Sequence, residues 1–204
     1  MQKLALIISL VITGLLTAQN YDQGMQKALG LIQENPTEAT NLFERIAASD
    51  LDNWIPSYYA ANMYIMSSFG VTEEAVIKGK LDKAKEHIAN AEAASPNNPE
   101  ILVLKAVMYT AWVAFDGMTY GMQLSPDIAA LYAKASSIAP NNPRVVLNKA
   151  QWDIGSAKFF GQDTAPFCKD IEKSLELFDT FKAETPFHPT WGKAQAEQAL
   201  KECK

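Results

Sequence analysis

The sequence contains few of the residue types that most often carry chemistry: of its 204 residues, only 2 are cysteine and 2 are histidine. The patterns HExxH, CxxC, GxGxxG, GxxxxGK[ST] and GxSxG do not occur, so the common metal, nucleotide and hydrolase signatures are absent. We therefore predict no catalytic residues, no metal site, no cofactor and no enzyme activity.

Positive charge is also scarce, with 18 Lys and Arg against 23 Asp and Glu and a net charge of −5. Proteins that bind nucleic acid present a basic face, so nucleic acid is not an expected partner. Glycine and proline occur ten times each, which excludes a collagen-like or low-complexity chain. The 48% of hydrophobic residues excludes a disordered acidic chain.

Long hydrophobic runs are missing after the first segment of the chain. Residues 1–18 combine a positive Lys3, an uncharged apolar run over 4–16 and a small residue, Ala18, at the expected cut. This pattern is typical of a cleaved signal peptide, and the run is too short for a membrane-spanning helix, which needs roughly 20 residues. We expect a signal peptide over 1–18 and one domain over 19–204. The protein would then be periplasmic or secreted from a bacterial cell, with no stable membrane span after cleavage.

An internal repeat is the strongest signal that the sequence does contain. Residues 96–106 are PNNPEILVLKA and residues 140–150 are PNNPRVVLNKA, with weaker copies starting at Leu51 and Pro186. Proline ends one helix and suits the first turn of the next, so each copy marks a boundary between helices. The repeat and the apolar periodicity predict nine helices, near 21–33, 37–48, 54–69, 73–94, 99–115, 126–138, 143–158, 166–182 and 189–203.

At these positions the chain resembles the tetratricopeptide (TPR) family. The residues that carry the resemblance are a small residue followed by an aromatic in one helix, and an Ala-aliphatic-Ala-Pro spacing in the other: Ala106, Tyr109, Ala84, Ile88, Ala91 and Pro96. The repeat here is 44–46 residues long rather than the 34 of the family, and the extra residues fall between the two helices of a unit. The resemblance implies an all-α solenoid of stacked antiparallel helical hairpins, closed by a C-terminal capping helix, that binds proteins or peptides.

The two cysteines lie at matching ends of the last predicted hairpin. Cys168 is near the start of the eighth helix and Cys203 near the end of the ninth. Because those ends meet in an antiparallel hairpin, and because an exported chain meets an oxidising environment, we predict a disulfide between them. Two independent buried thiols are the alternative.

Three insertions join the first helix of a unit to the second, over 69–80, 115–126 and 159–167, and all should project from one edge of the stack. The second and third supply candidate ligand-binding residues: Met118, Tyr120, Met122, Phe159, Phe160, Gln162 and Asp163. Adaptable methionines beside aromatics suit a recognition site. In the alternative interpretation, the phenylalanines that precede glycine in each insertion only pack over the helix ends.

The histidines give no nucleophile pair. Cys168 and His188 are separated by a helix that would place them over about 20 Å apart. His87 lies among charged residues in KEHIAN and is predicted to be a solvated surface histidine.

Two hypotheses about function follow. In the first, the chain is an exported, non-catalytic TPR-like protein that mediates protein–protein or peptide interactions in the cell envelope. In the alternative, it binds a small-molecule or glycan ligand through the inter-helix insertions at 115–126 and 159–167.

Overall fold

The structure is a computed structural model that describes residues 20–203, and all regular secondary structure within that range is helical. The predicted all-α class is therefore confirmed, whereas the predicted signal peptide lies outside the described residues. The nine helices of the described range are α1 (20–31), α2 (Pro36–Ser49), α3 (Trp54–Met66), α4 (Glu74–Ala94), α5 (Pro99–Phe115), α6 (Gly117–Ile138), α7 (Pro143–Phe159), α8 (Ala165–Thr180) and α9 (Lys193–Glu202).

The PNNP repeats start helices as the sequence predicts. Pro99 and Pro143 are the first residues of α5 and α7, where a missing N–H costs no hydrogen bond. The preceding asparagines cap the helices: the side-chain oxygen of Asn98 accepts from the Glu100 N–H at 2.9 Å, and that of Asn142 from the Arg144 N–H at 2.9 Å. Each cap satisfies a backbone donor that the helix itself leaves unpaired.

The helices stack as hairpins. Helix α3 packs against α4, α5 against α6, and α7 against α8, while α5 also packs against both α3 and α7. Since the connections are short, each hairpin is antiparallel, and the first helices α3, α5 and α7 run in the same direction. The alanines ten residues after each repeat start are almost completely buried, which lets the helices approach closely: Ala61, Ala106, Ala150 and Ala196.

This arrangement gives the stack two edges. We call the insertion edge the side where α3, α5 and α7 end and α4, α6 and α8 begin. We call the strap edge the opposite side, where α3, α5 and α7 begin, because residues 181–192 cross it.

The prediction of a loop over 115–126 is wrong. Only Asp116 separates α5 from α6, and the next 22 residues are helical, with Pro126 inside the helix. The sequence contains two glycines and a proline here, which usually break helices. The Asp116 carboxylate caps the start of α6 by accepting hydrogen bonds from the backbone N–H groups of Met118 and Thr119, and packing of α6 along α5 stabilises the rest of the helix.

The last unit also differs from the prediction. Helix α9 begins at Lys193 instead of 189, and residues 181–192 form an extended strap rather than a tight hairpin turn. Phe187 in the strap reaches Tyr21 of α1, with ring centroids 5.5 Å apart, and Trp191 donates from Nε1 to the Tyr58 hydroxyl of α3 at 2.9 Å. The strap thus joins the end of the chain to its first units, whereas the units of a simple solenoid contact only their neighbours.

The predicted disulfide is confirmed. Cys168 lies in the first turn of α8 and Cys203 directly follows α9, and their Cα atoms are 5.8 Å apart. The bond ties the end of the capping helix to the last hairpin. In the described part of the chain, no helix has both the length and the apolar character needed to cross a membrane.

Candidate functional site

The insertion edge carries most of the exposed large hydrophobic side chains. Nine large hydrophobic side chains are exposed within residues 20–203, and the seven at this edge are Met66, Phe69, Val76, Met118, Met122, Phe159 and Phe160. The other two, Leu51 and Ile138, lie at the strap edge. Single exposed hydrophobic residues are common on soluble proteins, but a group of them at one edge is typical of a binding surface.

The start of α6 presents two methionines to solvent. Met118 and Met122 are 84% and 90% exposed, and a spacing of four residues places them on one face of the helix. The Asp116 cap holds this turn in place. Hydrogen bonds from the side chain and backbone of Thr119 lower the pKa of Asp116, so its carboxylate stays ionised as a cap.

Tyr120 has a different environment from its two neighbours. Its ring packs against Trp112 of α5, with ring centroids 4.8 Å apart, and it is partly buried. Trp112 in turn contacts the Phe115 ring at 6.3 Å. Tyr120 therefore anchors α6 on α5, and only its outer part is available to a ligand.

The third insertion holds an exposed aromatic pair. Phe159 and Phe160 are 69% and 70% exposed, and their rings meet edge to face at 5.1 Å. They end α7, and the next residue, Gly161, adopts a φ of 66°, a conformation that glycine reaches without steric cost. The exposure of both rings argues against the interpretation in which these phenylalanines only close the layer between units.

The two polar candidates of this insertion are exposed, and one has a structural contact. The Asp163 carboxylate accepts from the Ala165 N–H at 3.0 Å, at the start of α8. The side chain of Gln162 makes no hydrogen bond to the described residues, while its backbone N–H donates to the Ala157 carbonyl. The structure thus places all seven predicted residues at one edge, with the methionines and the phenylalanines in two pairs. Their role in binding stays a prediction.

The strap edge contains a buried ion pair that sequence reasoning missed. Glu100 and Arg144 are 1% and 0% exposed, and their side chains form two hydrogen bonds of 2.8 and 2.7 Å. Asn142 donates to the same carboxylate at 2.6 Å, and His188 of the strap lies 3.6 Å from it. The Arg144 guanidinium also lies 4.4 Å from the ring centroid of Phe181.

This network decides the ionisation of its carboxylate. Burial by itself would raise the pKa of Glu100, but the interactions with His188 and with the Arg144 guanidinium outweigh burial and lower it. Glu100 is therefore ionised inside the protein. A buried charge is stable there only when it has partners of this kind.

The sequence does contain a signal for the ion pair between Glu100 and Arg144. Glu100 and Arg144 are the residues that follow PNNP in the two strong copies of the repeat, and they are 44 residues apart. Stacked repeats bring equivalent positions together, so opposite charges at one position of adjacent copies indicate an ion pair between units. His188 and Phe181 have no comparable signal, because the path of the strap brings them there.

The cavity at the strap edge does not suit an apolar ligand. Its volume is about 450 Å³, and the polar side chains in its lining include Glu100, Asn142 and His188. The exposed Asn141 and Glu184 at its rim would lose water to an apolar guest without gaining a hydrogen bond in return.

The prediction that His87 is a solvated surface residue is wrong. It is 7% exposed, its ring stacks on Tyr64, and its Nε2 lies 3.2 Å from the Glu44 carboxylate, which also accepts from the Tyr64 hydroxyl at 2.9 Å. Burial and this carboxylate raise the pKa of Tyr64 to about 12. The charged residues next to His87 in the sequence point outward, while His87 itself faces α2 and α3.

Comparison with solved structures shows what this fold is similar to. The solved structure of the HusA haemophore from Porphyromonas gingivalis superposes with a TM-score of 0.78 and 26% sequence identity, over 90% of this chain and 92% of that chain. No family model and no curated protein matches the chain. The helical-repeat architecture is thus shared with a haemophore, while the resemblance to the tetratricopeptide family stays a prediction.

Proposed function

We propose that this protein is an exported, non-catalytic binder of haem, or of a closely related porphyrin, and that the ligand lies on the insertion edge. The proposal develops the hypothesis of small-molecule binding through the insertions at 115–126 and 159–167. The hypothesis of protein or peptide binding has no comparable support from the comparisons.

The exposed apolar group at the insertion edge carries the proposal. A porphyrin is a flat and mostly apolar ring, and the Phe159 and Phe160 rings and the Met118 and Met122 thioethers offer apolar contacts of matching character. The likeness to a haemophore over nine-tenths of the chain supports this class of ligand above others.

Two observations support export of the protein. The pattern of residues 1–18 predicts a signal peptide, and a structural disulfide such as Cys168–Cys203 persists in oxidising compartments. Both features fit a protein that works outside the cytoplasm.

The test is a titration of the purified protein with haem, followed by visible absorbance. We expect saturable binding, and we expect the Phe159→Ser/Phe160→Ser variant to lose at least about tenfold in affinity, since burial of an aromatic side chain contributes about 1.5–3 kcal/mol.

The matched control is Leu51→Ser/Ile138→Ser, which removes the two exposed apolar side chains of the strap edge. It should bind haem as the wild type does. Absence of saturable binding by the wild type, or an equal loss in both variants, would contradict the proposal.

A further inference from the structure

The cavity at the strap edge lies between the two PNNP turns, and the strap closes its third side. Its volume of about 450 Å³ falls in the usual range for small-molecule sites. Residues from 95–100 form one wall, residues 139–142 form the second, and Phe181, Glu184 and His188 come from the strap. The cavity is on the opposite side of the stack from the insertion edge, so a ligand bound here is separate from the proposed porphyrin.

Most polar side chains in this lining already have partners. The Glu100 carboxylate accepts hydrogen bonds from both Arg144 and Asn142. Asn98 caps α5 and donates to the Ser95 hydroxyl at 3.2 Å. Because Arg144 balances the charge of Glu100, this pair leaves no net charge for a ligand to neutralise. The groups that remain for a ligand are on the strap and at the rim.

The strap residue His188 has a buried nitrogen that lacks a partner. The residue lines the cavity and is 6% exposed, and its Nδ1 has no hydrogen-bond partner within residues 20–203. Its Nε2 faces the Glu100 carboxylate at 3.6 Å. An ionised carboxylate only accepts hydrogen bonds, so we assign the proton of the neutral ring to Nε2, which leaves Nδ1 as an acceptor. Buried acceptors are nearly always bonded, and a donor bound in the cavity can satisfy this one.

Two groups at the rim of the cavity also accept hydrogen bonds. The side chains of Glu184 and Asn141 are exposed and make no hydrogen bond to the described residues. Of the described residues that line the cavity, none is a lysine or an arginine, so the Glu184 carboxylate has no cation beside it in the lining. The cavity therefore offers hydrogen-bond acceptors and one negative charge that is not balanced within the lining.

An ammonium group matches these requirements. It donates three hydrogen bonds and accepts none, whereas a hydroxyl or an amide would also bring an acceptor of its own towards the Glu184 carboxylate. Its charge is opposite to that of Glu184, and the attraction between them strengthens as the cavity removes water from the pair. The same carboxylate would repel a carboxylate or phosphate ligand.

We propose that the cavity at the strap edge is a second binding site, which takes a small primary amine in its ammonium form. The acceptors for the ammonium group come from Glu184, Asn141 and the Nδ1 atom of His188. The proposal does not rest on haem binding, because this site shares no residue with the insertion edge. Since Glu184 and His188 belong to the strap and Asn141 to a PNNP turn, the amine also ties the strap to the stack.

The test is an NMR titration of the purified protein near neutral pH with n-butylammonium. Two probes of the same chain length serve as ligand controls: 1-butanol, which has no charge, and butyrate, which has the opposite charge. We expect saturable shifts of the Asn141 side-chain amide and of the His188 ring nitrogens with n-butylammonium. Affinity for either control probe should be at least about tenfold lower, because hydrogen bonds to charged groups are the stronger ones.

The test variant is Glu184→Gln/Asn141→Ala, which removes the charge and the amide of the rim and leaves the buried ion pair intact. Its affinity for n-butylammonium should fall at least about tenfold. Because both side chains are exposed, thermal unfolding of the ligand-free protein should be unchanged. The matched control Glu172→Gln/Asn41→Ala makes the same two changes at exposed positions of α8 and α2 outside the cavity, and it should bind as the wild type does.

The His188 ring separates binding in the cavity from attraction to surface charge. When the amine binds in the cavity, Nδ1 gains a donor, so its nitrogen resonance should move more than that of Nε2. Absence of saturable binding, equal affinity for 1-butanol, an unmoved Nδ1 resonance or an equal loss in the two double variants would overturn the proposal. None of these outcomes bears on haem binding at the insertion edge.

Discussion

The two edges of the stack are built from the same helices and have opposite properties. At the strap edge, buried charges and aromatic rings from α3, α5, α7 and the strap are joined in one network around Glu100 and Arg144. At the insertion edge, seven large apolar side chains remain in solvent. The charged groups of this network already satisfy each other, whereas the apolar side chains at the insertion edge lack partners. We therefore expect changes in the network to alter stability and changes at the insertion edge to alter haem binding.

The largest expected effect comes from removing one charge of the buried pair. Arg144→Met leaves the Glu100 carboxylate buried without its main partner, which should lower the free energy of unfolding by about 3–5 kcal/mol. Chemical denaturation measures the change.

Its control is the double variant Glu100→Leu/Arg144→Met, because a buried ion pair replaced by apolar residues is often close to neutral. The double variant should recover much of the free energy of unfolding that Arg144→Met loses. If Arg144→Met alone were as stable as the wild type, the strap edge would not be held by this pair.

Removal of the disulfide should have the next largest effect on stability. Cys168→Ala/Cys203→Ala opens a loop whose ends are 35 residues apart, and the chain-entropy model assigns a loop of this size about 4 kcal/mol. Thermal unfolding of the variant, compared with the wild type with and without reductant, measures the loss. Reductant should lower the melting temperature of the wild type and leave that of the variant unchanged.

Low pH should reduce the free energy of unfolding by a smaller amount. The folded protein lowers the pKa of Glu100 below its ordinary value of 4.5, so its contribution to stability is complete above that value and is lost as the pH falls through the folded-state pKa. The free energy of unfolding of the wild type should therefore decrease below about pH 4.5.

The Glu100→Leu/Arg144→Met variant lacks this carboxylate and should show a flatter acid limb when unfolding is measured over the same pH range. An identical acid dependence in both proteins would show that other carboxylates cause the loss.

The smallest effect on stability belongs to the insertion edge. Phe159→Ser/Phe160→Ser removes side chains that are already about two-thirds exposed, so the free energy of unfolding should change by no more than about 0.5 kcal/mol per site. Urea denaturation of the ligand-free protein tests this. A loss of several kcal/mol would mean that the rings pack in the core, and the contrast between the two edges would disappear.

Much of the fold could be predicted because its signals are local. The PNNP segments contain both the proline that starts a helix and the asparagine that caps it, so the starts of α5 and α7 agree with the prediction. The pairing of Cys168 with Cys203 was predictable for a similar reason, since the start of α8 and the end of α9 lie together when these two neighbouring helices pack antiparallel.

The predictions failed where packing between helices decides local structure. Gly117, Gly121 and Pro126 indicate a loop, but the Asp116 cap and the contact between Tyr120 and Trp112 hold this segment as helix. His87 has charged neighbours in the sequence, yet the packing of α4 on α2 and α3 turns it inward. In both cases a tertiary contact outweighs local propensity.

The candidate site, too, was predictable from the sequence only in part. The sequence alone proposed its candidate residues and predicted their common edge, because insertions at equal positions of a repeat must project on one side. It could not determine which of them are exposed: Met118 and Met122 face solvent while Tyr120, between them, packs on Trp112.

By itself, the sequence of this protein determined the all-helical class, the repeat boundaries and the disulfide, since each depends on signals within one unit. Only the tertiary structure decided the course of the strap, the burial of Glu100, Arg144 and His188, and the apolar surface left at the opposite edge. The physical reason is that these features depend on contacts between residues 40 to more than 100 positions apart, such as Trp191 with Tyr58. Such contacts form only when the whole stack is assembled.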